Sequence, residues 1–218
     1  MMKATSIARQ STGGMRTRER ILRESSLLIA ERGYRATTTR QIAERVGIQQ
    51  PSLFHHFASK AAIVSELLAW DLDQTLPFVQ DLAALHSHAP MRLYTYLVFD
   101  INHLMNAPYN LAGIFTEDVM SDPVFAVWAD KRAQVHASVA AIVSAGVASG
   151  DFVPVTPRLV SEAVAGVLVG VLTFHSGGRK VEPELADEVA SMLVRGLLTD
   201  PADLVSIRRA AQDSALFR

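Results

Sequence analysis

Along the chain, apolar residues recur at three- and four-residue intervals, the spacing that lines one face of an α-helix. Ile21, Leu22, Ser25, Leu28 and Ile29 follow it from Arg16 to Glu31, and Gly33 supplies the stop. Thr38 and Gln41 form a Thr-x-x-Gln capping box that opens a second helix, with Ile42, Ala43 and Val46 inward and Gly47 at its end. A third helix of about two turns tolerates Pro51 only in its first turn, and turns Leu53, Phe54 and Phe57 back onto the others. Three short helices with a glycine turn between the last two form the helix-turn-helix pattern. From Lys60 a longer helix carries Ala61, Val64, Leu67, Leu68, Asp71 and Leu72, and is expected to break near Pro77.

Pro90 opens the next helix, with Leu93, Leu97, Val98, Ile101, Leu104 and Met105 inward. Pro108 interrupts it, and a short helix through Leu111 and Phe115 is expected to follow. Asp122-Pro123 and Thr156-Pro157 each set an N-cap before a proline at the first helical position. The first of these helices runs towards Gly150 with Val124, Trp128, Val135, Val139, Ile142 and Gly146 along one stripe. The second carries Leu159, Val160, Ala163, Val167, Leu168, Val171 and Phe174 and stops at Gly177-Gly178. A last long helix through Leu185, Val189, Leu193 and Leu197 ends near Asp200-Pro201, with a further turn of helix or a tail beyond it. No strand-like alternation and no internal repeat stand out. The expected fold is all-α: a polar, disordered tail over 1–15, a helix-turn-helix unit over 16–60 and a helical body over 61–218.

Composition sharpens this in three ways. Apolar content of 49% and charged content of 20% over 218 residues are ordinary for a globular chain with a sizeable core. The absence of cysteine excludes disulfides, thiolate zinc sites and cysteine nucleophiles. The apolar stretch from Ala163 to Phe174 falls short of the ~20 residues of a membrane span, and no secretory signal opens the chain, so a cytoplasmic protein without a membrane partner is expected. Charge is divided unevenly: residues 1–60 hold 11 Lys/Arg against four acids, a net +7, which leaves −8 for the rest. A basic end on an acidic body points to contact with a polyanion through the N-terminal part alone. No phosphate loop, nucleophile elbow or HExxH pattern is present, so neither an enzyme nor a cofactor is expected.

The run RGYRATTTRQIAERVGIQQPSLFHHFASK resembles the N-terminal domain of the TetR (tetracycline-repressor-like) family of transcriptional regulators. Gly33-Tyr34, the threonine pair, Ile42-Ala43, Gly47, Leu53, Phe57 and Ser59-Lys60 carry the resemblance over roughly residues 16–68. It implies about nine helices: three that bind DNA, then a ligand-binding body that dimerises through its last two helices. It further implies a ligand-responsive repressor that leaves a palindromic operator when a small organic effector binds. Two positions depart from the family pattern. Phe54 stands where a tyrosine is usual, and Gln49 replaces a usual serine that would cap the recognition helix.

Arg40 and Gln50 are the expected base readers, since arginine suits guanine O6/N7 and glutamine adenine N6/N7, with Pro51 and Ser52 on the same edge. Thr38, Thr39, Phe54, His55, His56 and Lys60 are the candidates for the phosphate backbone. The adjacent histidines point about 100° apart on a helix and make a poor chelate, so no metal is expected there. Tyr34 and Phe57 read as packing residues. In the body, Phe99, Asn102, His103, Trp128, His136, Phe174 and His175 are polar or aromatic positions on apolar stripes, which suits a partly apolar organic effector. Ala163, Gly166 and Gly170, with Val189, Leu193 and Leu197, form the candidate dimer interface, because small side chains let helices approach closely.

Overall fold

Helical hydrogen bonding organises most of residues 16–176 and 184–213, the segments described in the computed structural model. Three short helices come first: α1 (Thr17–Arg32), α2 (Thr39–Val46) and α3 (Gln50–Phe54). The body follows with α4 (Lys60–Ala84), α5 (Ala89–Met105), α6 (Glu117–Met120), α7 (Ala126–Ser149), α8 (Pro157–Ser176), α9 (Leu185–Leu197) and α10 (Leu204–Asp213). Short 3-10 turns at Pro123–Phe125 and Pro201–Asp203 lead into α7 and α10. Among the described residues there is no strand, only an antiparallel bridge between Phe152 and Leu198. The expected tail over 1–15 and the stop at Gly177-Gly178 lie outside the described residues.

Local chemistry accounts for the boundaries of the head. Thr38 Oγ1 accepts from the Gln41 N–H at 3.2 Å, and Gln41 Oε1 accepts from the Thr38 N–H at 2.9 Å, so α2 opens on a reciprocal capping box. Gly47 closes it at φ 75, ψ 36, a left-handed conformation in which a Cβ would be strained. At α3 the N-cap Gln49 makes no side-chain cap hydrogen bond, and the helix holds five residues rather than two turns. His55 and His56 continue it only as a turn.

Three expectations about the body change. Helix α4 runs unbroken through Pro77 to Ala84. The proline removes one intrahelical bond to the Asp73 carbonyl, but both residues face solvent, where water can take the freed oxygen. No helix forms around Leu111 and Phe115; this stretch is a turn whose Leu111 and Ile114 are fully buried by tertiary contact, and α6 starts only at Glu117. At the start of α7, Asp122 caps as expected by accepting from Val124 N–H, yet the first turn is 3-10. That tighter winding turns Phe125 inward and leaves Val124 54% exposed.

Helices α4, α5 and α7 form the centre of the body. Helix α7 packs between α4 and α8, while α9 and α10 cover α5. The last turn-or-tail segment is helix α10, and Arg208 on it shares Asp187 of α9 with the Tyr94 hydroxyl of α5. Burial, reinforced by the Asp187 contact, pushes the Tyr94 hydroxyl up to about 12. Helix α8 is less enclosed. Its window Pro157–Phe174 has a mean hydropathy of 1.5 and a length that would suffice for a membrane, with 28% of it buried, and it includes Arg158 and Glu162.

The head is docked through α1. Arg18 pairs with Glu66 on α4 and stacks its guanidinium 4.5 Å from the Phe57 ring. On the other side, Asn110 N–H donates to Ser26 Oγ at 3.0 Å, Arg35 pairs with Asp118, and the Tyr34 and Phe125 rings meet edge-on at 5.3 Å.

Candidate nucleic-acid interface and effector cavity

Helix α2 and helix α3 set the expected base-reading residues near one another, Arg40, Pro51 and Ser52 exposed and Gln50 half-buried. Arg40 projects from the first turn of α2 with its side chain 79% exposed, lightly held by Glu44 at 2.9 Å one turn on. Gln50 opens α3 and donates through Nε2 to Thr39 Oγ1 at 3.0 Å, which fixes the two helix starts relative to each other. Pro51, Ser52, Phe54, His55 and His56 are all exposed beside them. Thr38 is exposed too, although its hydroxyl already caps α2.

Lys60 is placed differently from the phosphate role expected of it. Its ammonium turns inward, donating to the carbonyl of Thr37 at 2.6 Å and to that of Tyr34, and lies 4.1 Å from the Tyr34 ring centre. Burial lowers its pKa. The residue ties the α1–α2 link to the first turn of α4, so two of its three donors are occupied. Phe57 and Tyr34 are core, as their spacing implied. Arg45 is likewise structural: it holds Glu24 and Glu31 of α1 at 3.2 and 2.9 Å, and its hydrogen bonds hold the Glu31 carboxyl below the usual range.

In the body a cavity of about 60 Å³ opens between α4, α5, α7 and α8. Leu72, Leu104, Val135, Val139, Val164 and Leu168 form its apolar walls, and Phe115 from the turn before α6 closes one side. Asp71, Thr75, Tyr96 and Asp100 gather at one end, and Arg132, His136 and Ser161 line it from α7 and α8. His136 Nδ1 lies 3.4 Å from Glu162, and Ser161 Oγ donates to the His136 carbonyl at 2.8 Å.

Of the effector candidates whose side chains are described, His136 alone lines this cavity. Phe99, Asn102 and His103 belong instead to an adjoining groove of about 350 Å³ with Trp70 and Phe78. There the rings stack as a row: Trp70 on His103 at 4.3 Å, His103 near Phe99 at 5.8 Å, Phe99 on Phe78 at 3.9 Å. Trp128 lines neither space and sits under Lys131 Nζ at 4.6 Å. Phe174 is 44% exposed and also lines neither, while the His175 side chain lies outside the described residues.

Along the sequence Asp71 is one more inward position of its helix and Asp100 stands outside the apolar stripe of the next, so neither declares itself as part of a site. The available signal was a carboxylate on the buried face of each of two neighbouring helices. Asp100 is fully enclosed; burial, then the charge of Asp71, pushes its carboxyl up to about 7. Burial and Asp100 together push the Tyr96 hydroxyl well up as well.

The candidate dimer residues are accessible. Ala163, Gly166 and Gly170 are exposed on α8, and a Cβ added to either glycine would meet nothing within 4 Å. Val189, Leu193 and Leu197 are half-buried on α9, beside Met192, which is 60% exposed.

Residues 21–67 match the family of bacterial regulatory proteins, tetR family, and residues 92–197 match the tetracyclin repressor-like, C-terminal domain. The chain is 28% identical over 200 residues to the HTH-type transcriptional repressor KstR2 of Rhodococcus jostii (strain RHA1), covering 87% of this chain and 95% of that protein. It superposes on the crystal structure of Mycobacterium smegmatis AmtR with a TM-score of 0.77 at 27% identity, covering 93% of this chain and 97% of the other. The crystal structure of AibR in complex with isovaleryl coenzyme A and operator DNA shares the fold, with a TM-score of 0.58 at 16% identity over 84% of this chain and 98% of that one.

Proposed function

The chain belongs to the tetR family of bacterial regulatory proteins, and from that premise we propose that it binds a palindromic operator as a homodimer and is released by a small organic effector. A DNA-binding transcriptional regulator, not an enzyme, is what family membership makes it. Residues 16–60 serve as the DNA-binding unit and 61–218 as the body, with α4 shared mechanically between them. The carrying observation is the edge on which Arg40, Pro51 and Ser52 stand exposed beside a half-buried Gln50, while the neighbouring cation Arg45 is held by Glu24 and Glu31 of α1 and Lys60 turns inward. Arg40 and Gln50 read base edges; Thr38, Thr39, His55 and His56 face the phosphates, and Phe54 offers apolar contact alone.

Repression is the mode favoured by the name of the relative KstR2, and the AibR structure pairs one member of this fold with both an acyl coenzyme A and operator DNA. Two recognition helices reading a palindrome need to stand about one helical turn, ~34 Å, apart. Pairing through α8 and α9 supplies such a dimer. Gly166 and Gly170 have no close neighbour inside the protomer, so their lack of a side chain suits approach by a second one.

The effector site is the cavity between α4, α5, α7 and α8, which holds a few polar groups among apolar walls. Two routes lead from it to the head. Asp71, Leu72 and Thr75 lie on α4, whose first turn is tied to the head by Lys60. Phe115 lines the cavity two residues after Gly113, which lies against α1. Effector binding favours a head spacing that no longer fits successive grooves, and a hundredfold loss of operator affinity needs about 2.7 kcal/mol of coupling. A gel shift with DNA flanking the protein's own gene, repeated across a small-molecule panel, tests the proposal. Retarded DNA released by a compound that also raises the melting temperature supports it; retardation that no stabilising compound reverses overturns the effector half.

A further inference from the structure

Asp71 of α4 and Asp100 of α5 meet at one end of the body cavity, 5% and 4% exposed. A single hydroxyl, Thr75 Oγ1, lies 3.4 Å from an oxygen of the first and 3.2 Å from an oxygen of the second. It carries one proton and can donate to only one of them at a time. Tyr96 donates to the other Asp100 oxygen at 3.3 Å. Among the described residues no lysine or arginine forms an ion pair with either acid; the basic group within reach is His103, whose Nε2 stands 3.3 Å from Asp71 Oδ1. That nitrogen is outside hydrogen-bond geometry and has no hydrogen-bond partner among the described residues, although the side chain is only 10% exposed.

The site is therefore short of donors and of positive charge. Beside the two enclosed carboxylates stands one imidazole, while Arg132 and His136, which line the same cavity, form no ion pair with either acid among the described residues. A buried carboxylate without a cation is strongly disfavoured. A metal ion does not fit the deficit, since among the described residues no three His, Asp or Glu side chains are grouped to hold one. Apart from the acids, Thr75, Tyr96, Arg132, His136 and Ser161, the lining is hydrocarbon, Leu72, Leu104, Val139 and Leu168 included. A ligand for this space needs N–H donors bearing a positive charge at one end and a short apolar part at the other.

Resting on the reading of this cavity as the effector site, we infer that its ligand is a small organic ammonium ion. The ammonium sits between Asp71 and Asp100, with three N–H donors for the carboxylate oxygens, and the hydrocarbon part lies against Leu104, Val139 and Leu168. A volume of about 60 Å³ has room for roughly four to six non-hydrogen atoms, at ~10–15 Å³ for each water-sized position. Butylammonium has that size.

The test compares n-alkylammonium ions of three to six carbons with the alcohols and carboxylates of the same chain length, at matched ionic strength, by thermal unfolding of the full chain. A saturating ammonium is expected to raise Tm by about 2–4 °C or more, the alcohol and carboxylate to leave it unchanged. D71N and D100N lose the shift; both substitutions keep side-chain size and remove a buried charge, so the fold is retained. D73N, which alters an exposed acid on the same helix, keeps it. An equal shift with alcohol or carboxylate, no shift with any ammonium, or a shift that survives in both D71N and D100N overturns the inference. Release of the flanking DNA is read in parallel. Ammonium-specific stabilisation without DNA release upholds the charge of the site and overturns the effector reading; release by an uncharged or anionic compound bound in the cavity does the reverse.

Discussion

Gly113 lies so close beneath α1 that a Cβ built on it would stand 2.7 Å from the backbone nitrogen of Ala30. Backbone cannot yield as a flexible side chain would, so the contact leaves no room for anything larger than glycine. Two residues on, Phe115 lines the body cavity, and three residues before, Asn110 N–H donates to Ser26 Oγ of α1. This turn is thus wedged between the cavity and the helix that carries the head.

Gly113→Ala should therefore force α1 and the turn apart. Overpacking of this kind costs about 1–3 kcal/mol. The expected outcome is a lower melting temperature together with weakened DNA binding, while Asp81→Asn, at an exposed position of α4 outside the sites described, changes neither. Unfolding curves and gel-shift titrations of the two variants check it; a Gly113→Ala protein that matches the parent in both would show that the turn is not a junction.

Arg40→Ala and Gln50→Ala should separate reading from folding. The Arg40 side chain is exposed and that of Gln50 half-buried, and loss of a good base contact is worth about 1–3 kcal/mol of discrimination. Arg40→Ala should keep the parent's melting temperature, and Gln50→Ala should lower it only by the loss of one hydrogen bond to Thr39, about 1 kcal/mol. Both should nevertheless bind the operator roughly 5- to 150-fold more weakly, with the difference between operator and unrelated DNA narrowed. Thr38→Ala should differ from both by also losing the α2 cap, at about 1 kcal/mol of stability. Competition titrations with unrelated DNA provide the readout.

Gly170→Arg places a long charged side chain on the face proposed for dimerisation. Within the protomer it meets open space, and an exposed helical glycine is a poor helix former, so folding should not suffer. Sedimentation should show a monomer, and the affinity for a two-half-site operator should fall sharply while helix content is unchanged. A variant that sediments as the parent does would place the interface elsewhere.

Asp100 makes a prediction about pH. In the folded chain its carboxyl titrates near 7, whereas an unfolded aspartate titrates near ~3.9. Between those values the folded state holds the extra proton, so stability falls as pH rises through the window. The groups lining the cavity with it are Asp71 and Thr75 of α4, Tyr96 of α5, Arg132 and His136 of α7 and Ser161 of α8, with His103 behind Asp71. Asp100→Asn removes the titration, so its gain in urea midpoint over the parent should be larger at pH 8 than at pH 5. Equal gains at both pH values would mean that the carboxyl is not proton-linked.

The helix starts and stops of the head were largely legible because their signals are local. A threonine and a glutamine three apart close a capping box wherever they fall at a helix start, and Gly33, Gly47 and Gly150 each take a positive φ at a helix end. The body was legible as helices but not as contacts. Pro77 reads as a breaker if only its missing N–H is considered; its solvent-facing position, which lets the helix continue, depends on the fold. Leu111 and Ile114 carry helical spacing, yet their burial against neighbouring segments holds them in a turn. Lys60 looks like a free cation until the carbonyls of Tyr34 and Thr37 are brought to it from the previous link. The acid pair is the plainest case: Asp71 and Asp100 are 29 residues apart in sequence and acquire meaning only when α4 and α5 pack side by side.

The central claim is that this chain reads a two-fold DNA site through Arg40 and Gln50. A footprint of the purified protein on the DNA flanking its own gene measures it most directly. The account predicts two protected half-sites related by a dyad, their centres about one helical turn or a multiple of it apart. It also predicts that the protection disappears at the same protein concentration in the Arg40→Ala, Gln50→Ala double variant. Uniform protection without a dyad, or a footprint left intact by that double variant, would contradict it.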